Sequence, residues 1–377
     1  MTLAPPAPRV GRLLTRVAEG LATPFVPADY LDLFAPLRHG AELRGRIVAI
    51  TPETADAATI TIRPGRDWSG HRPGQYLRLG IDIDGVRRWR AYSLTSAPER
   101  CERGDGLLTI TVKAIDDGLV STYLVRQAQP GTLVRLEQAC GDFVLPDALP
   151  ERLLFMTGGS GITPVMGMLR SHRFDGCDIV VLHSAPTAAD VIFAADLDAL
   201  ADAQAGATVR VITRLTDAEG MLAPADLEQV VPDWRERHAW VCGPTGMLDA
   251  FADHYDHAGL SEALHVERFR PSVIATGEGG TVTIESTTSA GTSVAIVDVD
   301  GATTILDAAE DEGVLMPSGC RMGICFGCVL PMTAGSVRDL RNGKLTETTP
   351  DDPPVMVQTC INAVAGSCTI ERKDSFA

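Results

Sequence analysis

The apolar positions of the chain change period several times. Up to about residue 42 they fall at near-helical spacing between prolines: Leu13, Leu14, Val17 and Leu21, then Tyr30, Leu31, Leu33, Phe34 and Leu37. Residues three and four apart share one face of a helix, so this stretch (1–42) predicts one or two short helices. From 43 to 148 the pattern turns to short alternating or β-branched runs broken by Gly and Pro, at 46–50, 58–62, 75–79 and 108–112. Several such strands with turn signals between them predict an antiparallel β-barrel. From 149 to 270 apolar runs at 153–156, 179–182, 209–212 and 239–241 alternate with helical stretches. That alternation predicts an α/β domain with a parallel sheet covered by helices. Residues 271–280, with Gly277, Gly279 and Gly280, read as a linker. Over 281–377 a hairpin is expected from 281–284 and 293–297, followed by a short helix at 306–312, which makes a third, α+β domain.

Charge narrows the functional classes. The 377 residues carry 33 Lys+Arg against 49 Asp+Glu, a formal charge of −16. Nucleic acid and an anionic membrane surface would repel such a chain, whereas a partner with a basic patch would attract it. The imbalance is uneven, with 6 Lys+Arg against 14 Asp+Glu from Val273 to the end. No apolar run reaches the roughly 18 residues of a membrane span. Met1 to Arg9 lacks the basic-then-apolar order of a signal peptide. A cytoplasmic protein is expected, with packing on the barrel or contact with the inner face of the membrane both open for the N-terminal helices.

In a reducing cytoplasm nine cysteines need a role other than structural disulfides. Cys101, Cys140, Cys177 and Cys242 are scattered, but Cys320, Cys325, Cys328, Cys360 and Cys368 crowd the C-terminal region. Cys320-x4-Cys325-x2-Cys328 with a distant Cys360 is the plant-type [2Fe-2S] spacing. Zinc is the alternative, although zinc sites usually show two separate CxxC pairs or His partners. Cys368 falls outside the spacing and is expected to be a buried thiol. Residues 281–377 resemble a plant-type ferredoxin (β-grasp) domain, and the resemblance implies a low-potential electron donor upstream.

Two further constellations supply that donor. The run Arg90-Ala91-Tyr92-Ser93-Leu94, placed just after a strand, matches the RxYS(L/T) motif of the ferredoxin-NADP reductase superfamily. The resemblance implies that Arg90 pairs with a flavin phosphate, Tyr92 stacks on the isoalloxazine ring and Ser93 hydrogen-bonds near flavin N5, with Leu94 and Lys113 lining the same site. Gly118-Leu119-Val120-Ser121 resembles the phosphate-binding GxxS of the same superfamily at a helix N-terminus, where backbone N–H groups attract an anion. FAD is the expected flavin and FMN the alternative.

Thr157-Gly158-Gly159-Ser160-Gly161-Ile162-Thr163-Pro164 follows the first strand of the α/β region. It lacks the GxGxxG order but offers the same glycine turn opening a helix that can hold a pyrophosphate. In that form it too resembles the reductase superfamily, as do Cys242-Gly243-Pro244 and Glu267-Arg268-Phe269. The resemblance implies that Ser93, Cys242 and Glu267 surround the reacting pair and that Phe269 shields the flavin. Thr213-Arg214 stands where NADP-dependent relatives bind the 2′-phosphate, which points to NADPH, with NADH as the alternative.

The domain order, with the N-terminal Leu31-Asp32-Leu33-Phe34-Ala35-Pro36-Leu37, resembles the actinobacterial reductases of acyl-CoA desaturases and alkane hydroxylases. It implies an oxidoreductase passing electrons from NADPH through flavin and cluster to a membrane di-iron enzyme. An NADH-dependent reductase of a Rieske oxygenase or P450 system is the alternative. A non-catalytic redox sensor is a remoter one.

Overall fold

A computed structural model describes residues 34–38, 42–98, 106–115, 118–204, 206–269, 275–288, 291–314, 316–318, 321, 323 and 326–373. The helices expected before residue 34 lie outside the described residues. Of that arm, Pro36 is buried and the Leu37 carbonyl accepts from the Arg66 N–H at 3.0 Å, so this piece packs on the first domain.

The first sheet contains β1 (Arg44–Pro52), β2 (Ala57–Pro64), β3 (Tyr76–Ile83), β4 (Val86–Ser93), β5 (Leu108–Lys113) and β6 (Leu133–Leu136), in the order β4-β3-β6-β1-β2-β5. Every pairing is antiparallel. Its outer strands meet through a Leu94–Ile110 bridge and a Thr95 N–H to Thr109 carbonyl bond of 2.9 Å, which curls the sheet into a barrel. Alternate residues point inward, so Ile60, Ile62, Leu77, Leu79, Leu108 and Ile110 fill the interior. Helix α1 (Leu119–Arg126) adds Val120 and Leu124 to that core.

The second sheet is parallel throughout: β7 (Arg152–Gly158), β8 (Asp178–Ala185), β9 (Thr208–Leu215), β10 (His238–Cys242) and β11 (Leu264–Glu267), ordered β11-β10-β7-β8-β9. Phe155, Val181 and Trp240 face one core and Leu154, Met156, Val180 and Val241 the other. Burial on both faces explains the continuous apolar runs of these strands. Helix α2 (Ile162–Ser171) packs in the first core and α3 (Thr245–His257) in the second. Strand order reverses between β7 and β10, which opens a crevice at their carboxyl ends.

The third sheet holds β12 (Gly279–Thr288), β13 (Gly291–Val299), β14 (Val329–Asp339), β15 (Leu345–Thr348) and β17 (Asn362–Lys373), ordered β13-β12-β17-β14-β15, while β16 (Val355–Gln358) also pairs with β14. Strands β12 and β17 are parallel, and α4 (Ile305–Asp311) buries Ile305, Leu306 and Ala309 beneath the sheet, a β-grasp arrangement.

Two details depart from the sequence reading. The Arg90–Ser93 run is the end of β4 itself rather than a segment after a strand. Gly279 and Gly280, expected in a linker, open β12 instead and pair with Ala365 and Gly366. A side chain at Gly280 would collide with the Gly366 carbonyl, so this glycine serves close strand approach.

Candidate active site

Two turns build the floor of the crevice. After β7 the chain passes through Gly158, Gly159 and Gly161 into α2, and Thr163 Oγ1 closes the turn on the Ser160 carbonyl at 3.0 Å. After β10 it passes through Gly243 and Pro244 into α3. A Cβ on Gly161 would collide with the Cys242 carbonyl, and one on Gly158 would stand 2.8 Å from Pro244 Cδ. The turns therefore touch through bare backbone. Gly159, at φ 53° and with open space around it, leaves the N-terminus of α2 accessible to an anion. Pro164 is buried inside α2.

The end of β4 faces this crevice. A Cβ on Gly167 of α2 would collide with the Leu94 carbonyl, and Arg170 Nη1 donates to the Thr95 carbonyl at 3.1 Å. Helix α2 thus lies directly on the strand that carries Arg90, Tyr92 and Ser93. The Ser93 hydroxyl is buried and has no protein partner, as is true of Glu267 Oε2. His183 Nε2 and Ser184 Oγ, at the end of β8, are also buried without partners, while His183 Nδ1 shares a 2.8 Å bond with Thr157 Oγ1. Orphaned buried polar atoms cost about 1–3 kcal/mol each, so the gathering of His183, Ser184 and Glu267 at the carboxyl ends of the parallel sheet, with Ser93 at the end of β4, fits a polar ligand.

Strands β10 and β11 bring Cys242 and Glu267 into direct register. Burial pushes the Glu267 carboxyl up to about 8, and burial with the Glu267 charge pushes the Cys242 thiol well above its ordinary value. Both groups are therefore neutral at pH 7. Burial also lowers His183 to about 4, so its imidazole is neutral as well.

On the barrel side, burial raises the Tyr92 phenol against the opposing field of Arg90. Burial first, and then the charge of Arg321, lower the Arg90 guanidinium, while Glu310, Tyr92 and Asp307 oppose the shift. Ser121 Oγ donates to the Gly118 carbonyl at 3.0 Å at the start of α1, and Val120 is buried behind it. Lys113 forms a 2.6 Å ion pair with Asp56. Phe269 is 38% exposed just beyond β11.

At the end of β9, Arg214 is already engaged: Nε donates to the Gly220 carbonyl at 2.8 Å, Nη2 to the Glu219 carbonyl at 2.9 Å, and Nη1 pairs with Asp226 at 3.1 Å. Thr213 sits beside it in the strand.

In the third domain Cys328, just before β14, and Cys360, just before β17, are both buried with Sγ atoms 3.1 Å apart. That is beyond the ~2.05 Å of a disulfide and suits two thiolates converging on one metal group. The Cys328 carbonyl accepts from the Thr359 N–H at 3.2 Å, and Gln358 Nε2 donates to the Gly323 carbonyl at 2.9 Å, tying Gly323 and Cys328 to the segment that carries Cys360. Cys320 and Cys325 lie outside the described residues. Cys368 is a buried thiol pushed up to about 12.

Comparison with known proteins agrees with this layout. Residues 49–145 match the oxidoreductase FAD-binding domain, 155–253 the oxidoreductase NAD-binding domain and 287–364 the 2Fe-2S iron-sulfur cluster binding domain. An NADPH oxidoreductase of Mycobacterium tuberculosis is 48% identical over 362 residues, 95% of this chain and 92% of that protein. The chain belongs to the ferredoxin-reductase-type oxidoreductases with a 2Fe-2S domain. A more distant member, a glycine betaine monooxygenase reductase subunit of Chromohalobacter salexigens, is 29% identical over 86% of this chain and 94% of its own. The fold is that of phthalate dioxygenase reductase, with a TM-score of 0.58 at 19% identity over 88% of this chain and 98% of that one. A type IV self-sufficient cytochrome P450 monooxygenase shares it at a TM-score of 0.55 and 24% identity, covering 87% of this chain and 40% of that one.

As in this family, the chain is an electron-transfer oxidoreductase using FAD, NAD(P)H and a [2Fe-2S] cluster. No helix among the described residues is long and apolar enough to cross a membrane. Sequence reasoning missed the Thr157–His183–Ser184 group, although its position at the carboxyl ends of two parallel strands was a usable signal.

Proposed function

We propose that the protein is an NADPH-dependent reductase delivering electrons to an oxygenase, in first place a di-iron fatty-acyl desaturase or alkane hydroxylase. The observation that carries the order of transfer is that the β3–β4 pair touches both other domains. Gly167 of α2 lies on Leu94, and Ser318 of the cluster loop lies on Arg78. When bound, the nicotinamide supplies a hydride, the flavin divides its electron pair, and the cluster passes electrons on singly.

The protein's own part is positioning. The Gly158–Gly161 turn and the N-terminus of α2 hold the pyrophosphate, and the Gly243–Pro244 turn walls the nicotinamide. Ser93 offers its unpartnered hydroxyl to the flavin. Cys242 and protonated Glu267 keep the reacting niche uncharged. Arg90, Tyr92 and the start of α1 hold the rest of the flavin, and Phe269 covers it. Cys320, Cys325, Cys328 and Cys360 hold the cluster.

Arg214 and the name of the Mycobacterium tuberculosis relative support NADPH. A second reading, an NADH-dependent reductase of a Rieske or P450 oxygenase, is favoured by the donors of Arg214 being already committed within the protein. Under the first reading the acceptor is a membrane enzyme with a basic docking patch, and the protein works in the cytoplasm at the inner membrane face. Anaerobic titration tests the transfer order: NADPH should bleach flavin and then cluster absorbance, and a cluster that never bleaches refutes it. Reconstitution with a purified desaturase, alkane hydroxylase, Rieske oxygenase or P450 decides the acceptor by which one turns over.

A further inference from the structure

The β3 residue Arg78 is absorbed by none of the cofactor motifs. It is only 8% exposed and makes three kinds of contact. Its Nη1 forms a 2.8 Å ion pair with Glu137, its guanidinium lies over the Trp89 ring at 5.2 Å, and its Nη2 donates to the Ser318 carbonyl at 2.8 Å. The first two fix the side chain to the barrel. The third crosses 240 residues of sequence to a carbonyl two positions before Cys320. In the sheet register Arg78 stands opposite Ala91, between Arg90 and Tyr92 of the flavin motif. One buried cation thus spans from the flavin strand to the cluster loop.

We propose that Arg78 is a positioning residue that latches the cluster loop onto the flavin strand and sets the rate of flavin-to-cluster electron transfer. A charge-assisted bond to a carbonyl is directional, and here the donor is held from behind by a carboxylate and an aromatic face. Ser318 therefore has a fixed seat rather than a loose contact. The Arg321 ion pairs with Asp307 and Glu310 stiffen the loop from the other side, and all three charges lie within electrostatic reach of Arg90. The step served by the latch is balanced one electron at a time, each lost by reduced flavin and gained by oxidised cluster, with no bond made or broken between the domains.

The inference rests on the transfer order proposed above, and the test separates the two. Arg78→Lys keeps the charge but has one short-reaching ammonium, which cannot serve Glu137 and Ser318 together. Glu137→Gln weakens the rear support and leaves the Ser318 bond. In anaerobic stopped flow of the full-length holoenzyme, R78K should leave flavin bleaching by NADPH unchanged and slow cluster bleaching by roughly tenfold or more, the loss expected for one charge-assisted hydrogen bond. Hydrogen exchange of the 310–318 segment should rise in R78K, a readout independent of turnover, while E137Q, which loosens the anchor but keeps the donor to Ser318, should fall between wild type and R78K in both measurements. Cluster bleaching at the wild-type rate in R78K, or a slowing in E137Q larger than in R78K, overturns the latch. A wild-type cluster that never bleaches overturns the transfer order instead.

Discussion

Glu267→Gln removes an ionisable group from the niche while keeping its shape, and its effect can be worked out in advance. Burial raises the Glu267 carboxyl from 4.5 to about 8. Below the lower value it is protonated in folded and unfolded chains alike and has no effect on the folding equilibrium. As pH rises, the unfolded chain ionises first, so the folded state loses stability until its own carboxyl ionises near 8. At about 1.4 kcal/mol per pH unit, the loss reaches roughly 3 kcal/mol at pH 7 and about 5 kcal/mol above pH 8. Solvent screening trims this little, because Glu267 is only 9% exposed. The glutamine variant escapes the loss. Global unfolding of a three-domain protein is a poor measure, so the assay is native-state hydrogen exchange at Val241 and Val266, the neighbouring core amides of β10 and β11. Relative to wild type at the same pH, E267Q should be more protected by only about fourfold at pH 5 and by about a hundredfold or more at pH 7, with the difference levelling off beyond pH 8. A difference that is flat from pH 5 to 8 would refute the reasoning, since it would mean an ordinary carboxyl in contact with water.

Gly161→Ala puts a methyl group against the Cys242 carbonyl, forcing the two turns apart. The cost should be about 1–3 kcal/mol of overpacking, read as weaker NAD(P)H binding by fluorescence titration, and unaltered affinity would show that the turns have slack. Cys360→Ser should abolish the visible absorbance of the cluster while NADPH still reduces the flavin, and a full cluster content by iron analysis would remove Cys360 from the ligand set. Arg214→Ala should raise KM for NADPH roughly tenfold with kcat for NADH little changed. Equal effects on both nucleotides would favour the NADH reading.

How much of this was legible in the sequence follows the range of each interaction. Strand runs in the parallel sheet stand out because both faces are buried. The Cys320–Cys328 triplet and the glycine turns are readable because each is contained within a dozen residues. The Gly279–Gly280 pair misleads for a physical reason: glycine signals both flexibility and close backbone packing, and only the partner Gly366 distinguishes them. The partners of Arg78, Glu137 and Ser318, were hidden because tertiary folding supplies them, whereas those of Arg214 lie within a dozen residues but include two backbone carbonyls that carry no side-chain signal.

The acidic third domain shows the same division. The 14 Asp+Glu against 6 Lys+Arg from Val273 to the end were legible as a field, and that net charge acts on an approaching partner whatever the local pairing. Contact is a different matter. Of the four acids in and beside α4, Asp307 and Glu310 are taken up by Arg321, while Asp311 and Glu312 are exposed. An acceptor with a basic patch would be steered by the whole domain, but of these four Asp307 and Glu310 are already engaged by Arg321, which leaves Asp311 and Glu312 as the exposed acids outside that ion-pair cluster. Under the proposed function, neutralising those two by Asp311→Asn and Glu312→Gln should weaken the acceptor complex and reduce the salt dependence of association only in part. Loss of the entire salt dependence would show that local contacts, and not the domain's field, guide the encounter.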